Sequence, residues 1–263
     1  MRLPFFNRRK RTNPNIEVVS GTDVGLKRAN NEDSYFSVSG DQTPGGLDAL
    51  LIVADGMGGH AAGEVASNMA VESIQSQLIN RSPDETFPIG GYAAILAQMI
   101  EQANTEIYNT GVSGGKGMMG TTCTAAVKSG NELHIAHAGD SRAYLLRKEK
   151  LSQVTTDDSW VMEQVIAGNL TNEQARVHPN RNIVTQALGV GPDIDVEQAV
   201  VEVEDGDIFL LCSDGLHGLV PDVEIATVLT DEKLGEAKDI LINRAKELGG
   251  DDNITVVLGR IFN

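Results

Sequence analysis

Five aspartates of this chain stand at the ends of apolar, strand-like runs. LLIVADG reaches Asp55, HIAHAGD ends at Asp140 and IFLLCSDG reaches Asp214, while Asp33 and Asp252 stand just before SYFSV and NITVV. Any one such acid is ordinary turn or cap chemistry. Five together constrain the fold, because apolar strands must pack on one another, and a packing that gathers their ends builds a concentrated negative pocket. Like charges at close range are costly unless they are protonated or neutralised. A pair of hard divalent cations is the economical neutraliser. Oxygen ligands with no paired histidine or cysteine point to Mg²⁺ or Mn²⁺ rather than zinc.

The stretch LLIVADGMGGHAAGEVA carries the most information. Leu50–Ala54 reads as a buried strand, Asp55 ends it, and a glycine-rich loop with His60 follows. Ala66, Ala70, Ile74 and Leu78 then recur every four residues as one helix face. A strand, an acid, a glycine loop and a helix form the layout of a site. Asp205-Gly206, between VEVE and DIFLL, reads instead as a β-hairpin turn.

Further strands are expected on both sides of a polar loop holding Arg28 and Asp33. Others are expected at TTCTAAVK, ELHIAHA and RAYLLRK, joined by SGN and GDS, and at DIFLLCS and NITVVLGRI. Helices are expected near 63–80, 91–109 and 233–248, with the proline-containing stretch NRSPDETFPIGG as a link between the first two. Two short helices are expected after residue 157, the second opened by Thr171 and Gln174 as a capping box. Runs of strands and paired helices, without strict β-α alternation, favour antiparallel sheets with helices packed on them.

With 263 residues, 41% hydrophobic and 22% charged, the chain is expected to form one large domain over residues 16–263. The net charge of −16 argues against nucleic acid as a partner. The first eleven residues, MRLPFFNRRKR, carry five basic side chains and no acid, and residues 1–15 read as a disordered, solvated tail. That tail lacks the apolar core of a signal peptide, and no run of roughly 18 apolar residues suggests a membrane span. Cys123 and Cys212 lie in apolar strands and read as reduced core residues of a cytoplasmic protein.

GLKRANNEDS, VADGMGGHAAGEVAS, GMMGTT, AHAGDSRAYL, LLCSDGL and GGDDNITVV, in this order, resemble the motifs of bacterial PPM-type, or type 2C, metal-dependent protein serine/threonine phosphatases. The resemblance covers roughly residues 17–261. It implies an α+β fold: a four-layer α-β-β-α sandwich of two antiparallel sheets flanked by helices, with a variable flap about 157–186. Carried over by position, Asp55 bridges two Mn²⁺ or Mg²⁺ ions and the Gly56 carbonyl binds one. Asp214 and Asp252 complete the first ion's shell, Asp33 holds the second largely through water, and Asp140 holds a third, weaker ion. Arg28 grips the substrate phosphate, and His60 lies in the loop that supplies an acid for the leaving group. The implied partners are phosphorylated proteins and an opposing serine/threonine kinase, and a monomer is expected.

Two other readings compete: a phosphatase-like binding domain without catalysis, and a phosphohydrolase acting on small phosphoesters through the same site. The first would be marked by a lost ligand, yet all five aspartates and Arg28 are present. GDSRA is no nucleophile elbow, since RAYLLRK alternates as a strand where that motif needs a helix. Cys212 lacks the arginine six residues on that a cysteine-based phosphatase would use, because Gly218 stands there. His134 and His137 point to opposite faces of one strand and read as core or surface residues. His217 receives no role, and Trp160 and Met162 are expected to pack the first short helix after residue 157.

Overall fold

The structure is a computed structural model that describes residues 15–43, 47–58, 62–80, 91–114 and 119–262. In the first half of the chain, β1 (Asn15–Asp23), β2 (Asp33–Ser39) and β3 (Ala49–Gly58) precede α1 (Ala62–Asn80) and α2 (Gly91–Gly114). Then come β4 (Met119–Thr121), β5 (Cys123–Ser129), β6 (Glu132–Ala138), β7 (Arg142–Arg147) and β8 (Lys150–Gln153). The short helices α3 (Trp160–Ile166) and α4 (Asn172–Arg176) lead to β9 (Glu197–Glu202) and β10 (Ile208–Cys212). The chain closes with α5 (Asp214–His217), α6 (Asp222–Asp231), α7 (Leu234–Glu247) and β11 (Ile254–Phe262).

The strands form two antiparallel sheets, ordered β1-β11-β10-β7-β8 and β2-β3-β5-β6-β9, with β4 added to the far end of β3. The alternation along β3 shows why its sequence is apolar throughout. Ala49, Leu51 and Val53 face the other sheet, where they meet Phe209, Leu211 and Val257. Leu50, Ile52 and Ala54 face α1 and α2 and pack with Ile74, Leu96 and Ile100. A strand with both faces covered has no side to give to polar residues. On the outer face of the second layer, Leu210, Val256 and Leu258 pack under Leu216, Ile225, Leu229 and Leu241. The result is the expected four layers. The two cysteines are free and buried, as expected.

Several local expectations change. Asp205-Gly206 is not a hairpin: β9 pairs with β6, whereas β10 pairs with β7 and β11, so this turn carries the chain from one sheet to the other. Gly206 still does what a turn glycine does, with φ +86° and its N–H donating to the Ile261 carbonyl. GDS likewise does not join neighbouring strands, since β6 and β7 lie in different sheets. Of the connections expected to close hairpins, SGN does so, joining β5 to β6; a second hairpin, β7 with β8, turns at Lys148-Glu149. Asp55 does not end its strand either. β3 runs on to Gly58 because its partner changes there, from β5 up to Val53 to β4 from Gly56 onward.

The capping box is present in both halves. The Thr171 hydroxyl accepts from the Gln174 N–H, and the Gln174 side chain accepts from the Thr171 N–H. Elements without an expected counterpart are β4, β8, α5 and α6. The basic N-terminal stretch up to residue 14 and residues 81–90 of the link between α1 and α2 lie outside the described residues. Among the described residues, no helix is long and apolar enough to cross a membrane.

Candidate active site

Strand register alone gathers the five aspartates at one pole of the sandwich. Asp33 is the Cα partner of Asp55, Asp23 at the end of β1 pairs with Ile254 at the start of β11, and Cys212 pairs with both Val256 and Arg142. Asp33, Asp55, Asp140, Asp214 and Asp252 therefore emerge from five different segments at the same end.

Asp33, Asp55 and Asp252 are held by neighbours that lie within the same six motif stretches. Asp33 is buried, and its Oδ2 accepts hydrogen bonds from the hydroxyls of Ser213 (2.8 Å) and Thr255 (2.6 Å), which reach across from the other sheet. Asp55 is fixed through its backbone. Its N–H donates to the Thr122 hydroxyl, and its carbonyl accepts from the Thr121 hydroxyl and the Thr122 N–H, all at 2.9 Å. Asp214 heads α5, and Asp252 accepts from Arg28 Nη2 at 2.5 Å. Asn253 anchors the loop that carries Arg28, donating to the Val24 and Asn30 carbonyls and accepting from the Glu32 N–H. Gly56 has no room for a Cβ, which would stand 2.4 Å from the Glu32 carbonyl and 2.3 Å from that of Gly63. The glycine here allows three backbones to meet beside Asp55.

Crowding and burial make these carboxyls unusually hard to ionise. Burial first, and then the charges of Asp214 and Asp252, push Asp33 up to about 7, against two hydroxyl hydrogen bonds that lower it. Asp214 is pushed up to about 6 by burial and by Asp252. Asp55 and Asp140 lie well above the ordinary carboxylate range, again through burial first, with Asp33 the leading charge on Asp55 and Asp214 on Asp140. Arg28, half-exposed, is held more basic by its bond to Asp252.

Two buried carboxylate oxygens, Asp33 Oδ1 and Asp214 Oδ1, have no hydrogen-bond partner. Buried polar atoms are seldom left this way. An all-oxygen set with two such atoms and mutual repulsion fits hard divalent cations. Among the described residues, no three acidic, histidine or cysteine side chains already stand as a closed cage for one ion. Asp252 is drawn towards Arg28, and Asp33 Oδ2 towards its two hydroxyls. His60 and its neighbours in the glycine loop lie outside the described residues.

Beside Asp140 and Asp214 opens a cavity of about 220 Å³, walled on one side by Met162, Arg176 and Arg181 and on the other by Arg142 and His217. The segment 157–186 is pinned at its base. Asp158 exchanges backbone hydrogen bonds with Gly139 and Thr185, and its Oδ2 accepts from the Gly139 N–H. Beyond that base little is buried: Val161 in α3 and Ala175 in α4, while Ile166, Val177 and Ile183 face solvent. Trp160, the first residue of α3, stacks on His178 just beyond α4, ring centroids 4.9 Å apart. Met162 lines the cavity.

The sequence profile of the family described as "Protein phosphatase 2C" matches residues 24–245. The chain is 38% identical over 246 residues to the serine/threonine phosphatase stp of Listeria welshimeri, covering 90% of this chain and 92% of that protein. It is 39% identical over 253 residues to the serine/threonine protein phosphatase PstP of Mycobacterium tuberculosis, covering 94% of this chain and 45% of that one. Among solved structures, the S. agalactiae serine/threonine phosphatase superposes with a TM-score of 0.85 at 36% identity, covering 94% of this chain and 99% of that one. The catalytic domain of a PstP in complex with two manganese ions superposes with a TM-score of 0.80 at 35% identity, with the same coverage. The fold, the order of motifs and the match across most of the chain agree: it belongs to the protein phosphatase 2C family and is a protein phosphatase.

Proposed function

We propose that this phosphatase hydrolyses phosphoserine and phosphothreonine in proteins, with two Mn²⁺ or Mg²⁺ ions held by Asp33, Asp55, Gly56, Asp214 and Asp252. The observation that carries the proposal is the acidic pole itself, where five aspartates converge and two buried carboxylate oxygens lack partners. Likeness to a structure described with two manganese ions supports the ion count. Divalent cations bound there supply a water that is nucleophilic near neutral pH and charge to balance a phosphoryl group. In this reading Asp55 would contribute to both ion positions, and Asp214 and Asp252 to one of them. Arg28, half-exposed beside Asp252, pairs with phosphate oxygens through its guanidinium fork. Asp140, next to Asp214, offers a third and weaker position, and His60 is the candidate acid for the leaving group. The phosphorylated substrates are products of serine/threonine kinases.

Assay of the purified chain on phosphoserine, phosphothreonine and phosphotyrosine peptides and on small phosphoesters, with Mn²⁺ or with a chelator, tests this directly. Turnover should appear with Mn²⁺, vanish with chelator and favour the serine and threonine phosphopeptides. Turnover that survives chelation would overturn the metal assignment, and preference for small phosphoesters would replace the substrate assignment.

The 157–186 segment acts, in the same proposal, as a flap that selects protein substrates. Its small buried surface makes local opening cheap, and Arg176 and Arg181 are exposed at the cavity beside Asp140. Arg176→Ala combined with Arg181→Ala is expected to lower kcat/KM on phosphopeptides about 5- to 10-fold, the scale of one or two exposed charge contacts. Turnover of a small aryl phosphate should hardly change. Equal losses on both substrates would make the segment ordinary structure.

A further inference from the structure

His217 closes the single turn of α5, three residues after Asp214, and its imidazole is 6% exposed. Its Nε2 lies 2.9 Å from the carbonyl oxygen of Asp140. A carbonyl can only accept, so Nε2 carries the ring proton and Nδ1 the lone pair. The preceding carbonyl is gripped in the same way. His137 Nε2 stands 3.0 Å from the Gly139 oxygen, and its Nδ1, 2.8 Å from the Thr124 hydroxyl, accepts from it. Two consecutive carbonyls of the turn that presents Asp140 are thus held by two buried imidazoles, one from β6 and one from α5.

The two grips are not equivalent. His137 belongs to the strand that leads into the turn, so it braces the turn against its own sheet. His217 belongs to the element that begins with Asp214, and Asp214 is the leading charge acting on the Asp140 carboxyl. Its hydrogen bond therefore connects the two acids through the backbone. Arg142, a cation in the same wall, is already engaged: it spends Nε and Nη2 on Asp157 and Nη1 on the Tyr144 hydroxyl.

We propose that His217 is a positioning residue: its hydrogen bond to the Asp140 carbonyl ties α5 to the Asp140 turn and so fixes how the Asp140 carboxyl is presented beside Asp214, setting the affinity of the weaker cation position. This rests on the reading of Asp140 as a cation ligand given above. Groups that hold a ligand rather than the metal commonly change metal affinity by about 10- to 100-fold when removed.

Mn²⁺ titration by calorimetry and electron paramagnetic resonance, on metal-stripped wild type, Asp140→Asn, His217→Leu and His217→Gln, tests the proposal. Leucine fills the imidazole volume without a donor, whereas glutamine keeps an N–H that can reach a carbonyl. Asp140→Asn should lose the weakest class of Mn²⁺ binding. His217→Leu should weaken that same class about 10- to 100-fold and leave the tighter classes unchanged, and His217→Gln should recover part of the loss. Thermal melting of the metal-free proteins shows whether each variant folds, and the glutamine variant carries the comparison if the leucine variant does not. In that case His217→Gln should bind the weak class more weakly than wild type, by less than about 10-fold. Weak-class affinity equal to wild type in His217→Leu, or failing it in a folded His217→Gln, decides against the proposal when Asp140→Asn has lost the weak class. Unchanged binding in Asp140→Asn would overturn the assignment of Asp140 itself, and the two failures are distinguishable.

Discussion

Asp55→Ala is expected to lower turnover of phosphoserine substrates by several orders of magnitude, and Asp214→Ala to do nearly the same. The size follows from what the acids would hold: a cation-activated water would be the nucleophile in the proposed reaction, and it would be lost with the cations. The carboxyls are poised for this use. Burial and mutual repulsion keep Asp55 well above the ordinary range and Asp33 near 7, so cation binding must displace protons from them. The fold should survive the substitution. Asp55 is placed by its backbone, through Thr121 and Thr122, and those hydrogen bonds do not involve its side chain. Removing one member of a repelling acidic cluster also relieves strain instead of creating it. Kinetics on the purified variants, with circular dichroism as a check on folding, give the answer. Near-wild-type turnover in either variant would sink the two-ion proposal.

Arg28→Ala should lower kcat/KM about 100-fold, mostly through KM, since roughly 1.5–3 kcal/mol rides on a charge-assisted hydrogen bond. The structure adds a discriminating detail, because Arg28 is bonded to Asp252, itself a candidate cation ligand. Were the arginine chiefly a structural partner for that acid, its loss would alter cation binding. Were it chiefly a phosphate contact, Asp252 would be left freer and cation affinity would be held or slightly raised. Calorimetry of Mn²⁺ binding to the variant separates the two. A clear loss of Mn²⁺ affinity would assign Arg28 to the wrong role.

The acidic set was legible because it depends on local pattern. An apolar run that must be buried on both faces has to show its first polar residue where it leaves the core, and Asp55, Asp140 and Asp214 stand at that point. The helix faces of α1, α2 and α7 were legible for a related reason, since their apolar residues recur at the helical period. The signal for α6 was also available, in Pro221-Asp222 followed by Ile225 and Leu229, a helix start with an i, i+4 apolar pair. Turn chemistry was read correctly as bending at Asp205-Gly206 and wrongly as a hairpin. Glycine at positive φ turns the chain, but which strand then becomes its neighbour is not encoded in the turn.

What the sequence by itself determined is therefore the list of acids, the strands and helices that carry them, and the oxygen-only chemistry they share. The tertiary structure alone decided how those acids are governed. The two sheets must pack before Ser213 and Thr255 can reach Asp33, before Arg28 can meet Asp252, and before His217 can hold the Asp140 carbonyl. These partners are separated from their acids by 77 to 224 positions in the chain. No local period or motif spacing records contacts at such separations. They exist because register and sheet order place five chain segments at one pole, and burial there sets the charge state of each carboxyl.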